Sequence, residues 1–119
     1  MNGRDLRALF DSHLTAFNHQ DLDTLLAGFA ADAVWVTGTD VFRGHAQLAD
    51  LFGGAFALAP TLRAATVLIE GDRVAAELTE HLVHQGKESL FAIAGFYRFS
   101  GERIAAAKIY REGSATLPR

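Results

Sequence analysis

The stretch Phe17 to Val36, FNHQDLDTLLAGFAADAVWV, constrains the chain more than any other. Leu22, Leu25, Leu26 and Phe29 recur at helical spacing, so one face of a helix there is apolar. Asp21 stands ahead of that run, where an N-cap belongs. After Asp32 the pattern changes to Val34-Trp35-Val36, a β-prone run. A helix that runs straight into a strand buries its apolar face on the sheet which that strand joins. Upstream, Leu6, Leu9, Phe10, His13, Leu14 and Phe17 share one stripe, which predicts a first helix from about Asp5 to Asn18. His13 is the titratable member of that stripe.

The rest of the chain reads as one more helix and then strands. A strand over roughly Ala33 to Thr37 leads into a Gly38-Thr39-Asp40 turn. Gly44 breaks the chain before a third helix, about His45 to Phe56, with Leu48, Leu51, Phe52, Ala55 and Phe56 inward. Gly53-Gly54 predicts a kink or an early end, since each Gly costs about 1 kcal/mol against Ala. Pro60 closes the segment. Strands follow over Leu62 to Glu70, Val74 to His84, Glu88 to Phe99 and Ile104 to Arg111. The turns between them carry Gly71, Gly86 and Gly101, so consecutive strands read as antiparallel hairpins. The order α-α-β-α-β-β-β-β is α+β, with helices on one side of a curved sheet. Gly113 to Arg119 reads as a loose tail.

Composition narrows the function. The 119 residues make one domain, and half of them are hydrophobic, enough for a core. There is no cysteine, so no disulfide frame and no thiol chemistry. The net charge of -3 and the lack of any Lys/Arg run argue against nucleic acid. No apolar run reaches membrane length, and MNGRDLRALF lacks the apolar core of a signal peptide, so a cytoplasmic protein without a membrane partner is expected. No GxGxxG, P-loop or GxSxG motif occurs. His81 and His84 lie three apart on a strand and point to opposite faces, and no HxxxH exists, so neither a metal nor a cofactor is expected.

Three stretches resemble a known group: FNHQDLDTLLAGFAADAVWV, FRGHAQLADLF, and the closing AGFYRFSGERIAAAKIYRE with its strand, Gly turn and strand. They are similar to the SnoaL-like and ketosteroid-isomerase-like families of the nuclear-transport-factor-two-like superfamily. The resemblance spans about Leu6 to Glu112. It implies a cone-shaped curved antiparallel sheet wrapped around the N-terminal helices, a cystatin-like α+β barrel with an apolar pocket. It also implies isomerases, polyketide cyclases, dehydratases, epoxide hydrolases or binders without chemistry, and commonly homodimers through the outer face of the sheet.

The residues that would carry the isomerase and epoxide-hydrolase activities are largely missing, and Val and Ile at the carboxylate positions cannot activate water. Where an isomerase has its base, this chain has Thr37, with Asp40 three residues on. The oxyanion-hole positions hold His13 and Gly95. Overlaying the Asp-Arg-Asp arrangement of limonene-type epoxide hydrolases puts His81 at the arginine, and Val83 and Ile109 at the carboxylates. A loose match to the cyclase motif falls on His84-Gln85-Gly86.

Register decides which polar groups of LTEHLVH enter the cone. A three-residue turn at Gln85-Gly86-Lys87 puts Glu77, Thr79 and His81 on the face of Gly95 and Ile93. A two-residue turn puts Leu78, Glu80 and Leu82 there instead. The epoxide-hydrolase overlay favours the first, which makes His81 inward. His81, His13 and Asp40 are then the acid/base candidates, since imidazole titrates near neutrality and an apolar mouth raises a carboxyl's pKa. Trp35, Tyr97, Thr37 and Phe56 are the candidate ligand contacts. For each, the competing reading is plain packing or capping. The expected ligand is a small apolar compound, either turned over without a cofactor or only bound.

Overall fold

The structure, a computed structural model, describes residues 3–112; the expected tail lies outside them. The first helix, α1, runs Gly3–Asn18 and buries Leu6, Phe10, Leu14 and Phe17, as their spacing predicts. Gln20 then takes φ 57°. Its N–H donates to Phe17 O and that of Asp21 to Ala16 O, a Schellman closure with Gln20 in the left-handed position usual for Gly. The next helix, α2, is Leu22–Ala27. Asp21 caps it, accepting from the Thr24 N–H at 3.2 Å and the Thr24 hydroxyl at 2.7 Å. Those bonds, the side-chain one foremost, hold the Asp21 carboxyl below its usual pKa.

Strand β1 is Phe29–Thr37 and β2 is Asp40–Arg43. Then come α3, Gly44–Phe56, and four longer strands: β3 Thr61–Glu70, β4 Arg73–His84, β5 Lys87–Ser100 and β6 Arg103–Glu112. The short β2 was not anticipated. Its four residues are mostly exposed, so they show no apolar alternation to read. The helix α3 continues past Gly53-Gly54 to Phe56, against the expected break. Both glycines face open space, while Leu48 and Phe52 are buried and Phe56 packs on Phe17 at 5.4 Å. Packing of the apolar stripe outweighs the two propensity losses.

One six-stranded sheet runs in the order β2-β1-β6-β5-β4-β3. It is curved and unclosed, and together with the helices forms an α+β cone. The sheet is mixed rather than wholly antiparallel, because β1 lies parallel to β6. No hairpin joins those two strands, so no local turn sets their relative direction. Helix α1 is tied across the concave face at its C-terminal end. There the Asn18 amide donates to Leu62 O at 2.9 Å and accepts from Leu62 N–H at 2.7 Å.

The β4–β5 hairpin corrects the expected register. His84 pairs with Lys87, which leaves a two-residue turn of Gln85 and Gly86. Both take positive φ, 53° and 76°, as a type I′ turn requires. Gln at a left-handed position is uncommon, so the residue types concealed this turn. Ala76, Leu78, Glu80 and Leu82 pair with Gly95, Ile93, Phe91 and Ser89. These residues share the concave face. His81, opposite Leu90, lies on the outer one.

Candidate functional site

The concave face carries its polar groups at two places. The deeper one is built around His13, which α1 carries into a ring of aromatic side chains. Its imidazole centroid lies 6.1 Å from Phe10, 5.6 Å from Phe29, 6.2 Å from Trp35 and 5.8 Å from Tyr97. His13 is 7 % exposed, and its Nδ1 has no hydrogen-bond partner among the described residues. Burial lowers its pKa from 6.5 to about 4, so the ring is neutral at pH 7. A buried, unpartnered nitrogen costs about 1–3 kcal/mol relative to a satisfied one. An apolar side chain would spare that cost here.

Tyr97 shares this end of the cone. It is buried, and burial raises the pKa of its phenol. The phenol lies along β5 over Gly95: a Cβ built on Gly95 would meet Tyr97 Oη at 2.5 Å and Cε1 at 2.6 Å. The missing side chain at 95 is therefore what makes room for the phenol. In the isomerase overlay, position 95 is that of the protonated acid. Here a tyrosine hydroxyl from two residues further on occupies the space. Trp35, also buried, packs edge-on to Phe52 at 5.2 Å and closes the same wall.

The other sequence candidates lie elsewhere. His81 is half-exposed on the outer face, with Nε2 3.1 Å from Glu88 Oε1. The epoxide-hydrolase overlay fails on the same ground, since His81 and Val83 face outward while Ile109 is buried inward. Thr37 follows Trp35 by two residues on β1, and Asp40 pairs with it across the Gly38-Thr39 turn. Asp40 is exposed. Thr37 and Asp40 line an 870 Å³ cleft at the end of β1 whose walls are mostly outer-face residues, among them Glu77, Ala94, Lys108 and Tyr110. Phe56 packs on Phe17, outside the set of rings around His13.

Two charged residues of the concave face were not among the candidates. Glu80 and Arg111 form an ion pair across β5, from Nη2 to Oε1, and the Arg111 guanidinium sits over the Phe91 ring at 4.2 Å. The signal was present as the alternative register of LTEHLVH, which puts Glu80 inward. The outer face also has a character of its own. Phe96 and Tyr110 meet edge-on at 5.9 Å, each 53 % exposed, and a 550 Å³ groove runs beside Val34, Val36, Leu68 and Phe96. Among the described residues no three His, Asp or Glu side chains cluster as metal ligands. No described helix is long and apolar enough to cross a membrane.

Three solved structures share this arrangement of elements. An LEH-like epoxide hydrolase of M. tuberculosis is 21 % identical, with a TM-score of 0.82 over 92 % of this chain and 84 % of that one. An NTF2-like protein of unknown function from Burkholderia pseudomallei is 18 % identical, with a TM-score of 0.82 over 94 % and 92 %. A protein with a ketosteroid isomerase-like fold from Catenulispora acidiphila, in complex with trimethylamine, is 20 % identical, with a TM-score of 0.78 over 86 % and 83 %. At these identities the likeness is one of fold. No curated protein sequence matches the chain. The SnoaL-like domain model matches residues 10–107, from the middle of α1 into β6. The chain belongs to the SnoaL-like domain family.

Proposed function

We propose that this domain binds a small, mostly apolar compound inside the cone and holds one oxygen of it between His13 and Tyr97. The observation that carries this reading is the unpartnered Nδ1 of a buried, neutral His13 beside a buried tyrosine. Imidazole in that state accepts or donates one hydrogen bond per nitrogen, and a phenol does both. Together they suit a carbonyl, hydroxyl or epoxide oxygen. The aromatic walls exclude water, which strengthens each polar contact.

Proton transfer through His13 then makes the domain a cofactor-free isomerase, cyclase, dehydratase or hydrolase. Asp40 is exposed at the end of β1 and His81 is on the outer face, so His13 is the interior acid/base group. A second reading, a binder without turnover, is favoured by one specific observation. The carboxylate of the concave face, Glu80, is paired with Arg111 and lies on strand positions well away from the Tyr97 layer. We also propose a homodimer through the outer face, supported by the exposed Phe96, Tyr110 and Leu68.

The chain's single tryptophan, Trp35, lies beside His13 and reports the pocket directly. Titrating its fluorescence with cyclic ketones and their parent hydrocarbons should show the ketones binding about tenfold tighter. His13→Leu should abolish that preference. Equal affinities in the wild-type protein, or a preference untouched by His13→Leu, would refute the reading.

A further inference from the structure

The site around His13 is sealed at rest. Its Nδ1 is buried, with essentially no accessible surface through which a solute could reach it. A compound that bonds to that nitrogen has to displace part of the wall first. The wall is a run of packed rings. His13 lies 6.2 Å from Trp35, Trp35 5.2 Å from Phe52, Phe52 6.2 Å from Phe17, and Phe17 5.4 Å from Phe56. Phe56 ends that run and is its one half-buried member.

The elements that carry those rings are not equally tied down. Asn18 holds the end of α1 to β3 by two hydrogen bonds to Leu62. The first turn of α3 is fixed as well. There His45 Nε2 donates to Phe29 O at 2.9 Å, and Gln47 Oε1 accepts from the Arg43 N–H at 2.7 Å. The last turn of α3 differs. Among the described residues no side-chain hydrogen bond or ion pair involves residues 53–59, and no basic residue stands in that turn to meet the helix dipole. Gly53 and Gly54 face open space, where a glycine gains no contact and weakens the helix. The backbone then tightens into i to i+3 bonds, Ala57 N–H to Gly54 O at 3.3 Å and Leu58 N–H to Ala55 O at 3.1 Å. It ends on Ala59 at φ 47°, a left-handed position that strains a residue with a Cβ. What holds the turn down is the Phe56 ring on Phe17. Phe52 before it and Pro60 after it are buried, so the loosely held segment is short.

We propose that residues 53–59 are the gate of the ligand site. The last turn of α3 unwinds, lifts Phe56 off Phe17, and lets a small apolar compound in past Phe17 and Phe52 to Trp35 and His13. This rests on the ligand reading above and adds how the ligand enters and leaves. The turn closes again over the bound molecule, so the closed form is common to the free and the loaded protein. Whatever favours the closed turn then slows entry and exit by the same factor and leaves the affinity alone. The paired glycines have a use on this account: they keep the closed turn weak enough to open.

The test follows 2-decalone, a small cyclic ketone, by stopped-flow fluorescence of Trp35. Gly53→Ala with Gly54→Ala should slow association and dissociation about tenfold each, and leave Kd within about twofold. Phe56→Ala, which removes the latch, should speed both rates. Hydrogen exchange of the free protein reads the same turn without a ligand. Amides of residues 53–57 should be protected at least about tenfold less than those of residues 48–52, and the double glycine variant should close most of that gap. Rates equal in the double variant and the wild type, or protection that is even along α3, would overturn the gate. If 2-decalone leaves Trp35 unchanged while the protection falls off along α3 as expected, the ligand reading fails and the opening turn stands.

Discussion

His13 and His81 are the same side chain in opposite surroundings. His13 is enclosed by four aromatic rings, with a nitrogen that no described residue satisfies. His81 faces outward on β4 and meets Glu88 across the strand pair. In the interior, burial alone lowers the imidazole's pKa from 6.5 to about 4. Outside, the His81–Glu88 contact is open to solvent, which leaves it little to contribute. Burial, and not residue type, is what sets the two imidazoles apart.

The largest consequence concerns acid. The folded protein keeps His13 neutral down to about pH 4, whereas the unfolded chain takes up that proton near 6.5. Between those values the unfolded state binds more protons, so stability falls as the pH drops and rises as it climbs. The loss from His13 alone should approach 3 kcal/mol by pH 4. Urea unfolding of the wild type and of His13→Leu at pH 7 and pH 4 isolates it, since the variant should lack this share of the acid slope. An identical slope in both would mean that His13 is not buried neutral.

Glycine offers a second contrast between inside and outside. Gly95→Ala places a methyl 2.5 Å from the Tyr97 hydroxyl, and should cost about 1–3 kcal/mol as the ring is displaced. Pairing it with Tyr97→Leu should recover part of that loss, a non-additivity that thermal denaturation would detect. Gly53→Ala and Gly54→Ala meet nothing within 4 Å on an exposed helical face. Each should stabilise by about 0.5–1 kcal/mol. The smallest effect belongs to His81→Ala, which should change stability by no more than about 0.5 kcal/mol at pH 7. A larger loss would place His81 in a structural role that the outer face does not show.

These contrasts also explain what could be read from the residues. The apolar stripes of α1 and α3, the Asp21 cap and the long strands are periodic or locally capped, and so were legible. The inward placement of His13, Trp35 and Tyr97 followed from the same periodicities. The face of LTEHLVH did not, because it depends on one residue's backbone angle at Gln85. A single slip there exchanged Glu80 for His81. The Arg111–Glu80 pair was hidden for a different reason. It joins residues 31 positions apart across an intervening strand, which only the sheet order reveals. The phenol over Gly95 likewise depends on a side chain leaning along its strand, which strand parity does not specify.

Everything proposed for the interior depends on the state of one ring. Nuclear magnetic resonance of the imidazole carbons and nitrogens, followed from pH 8 to pH 3.5, reads that state for His13 by name. A neutral His13 ring through pH 6, with its midpoint near 4, is the outcome expected of a buried imidazole free to bind a ligand oxygen. A midpoint at the ordinary 6.5 would show a solvated ring and remove the basis for the proposed site.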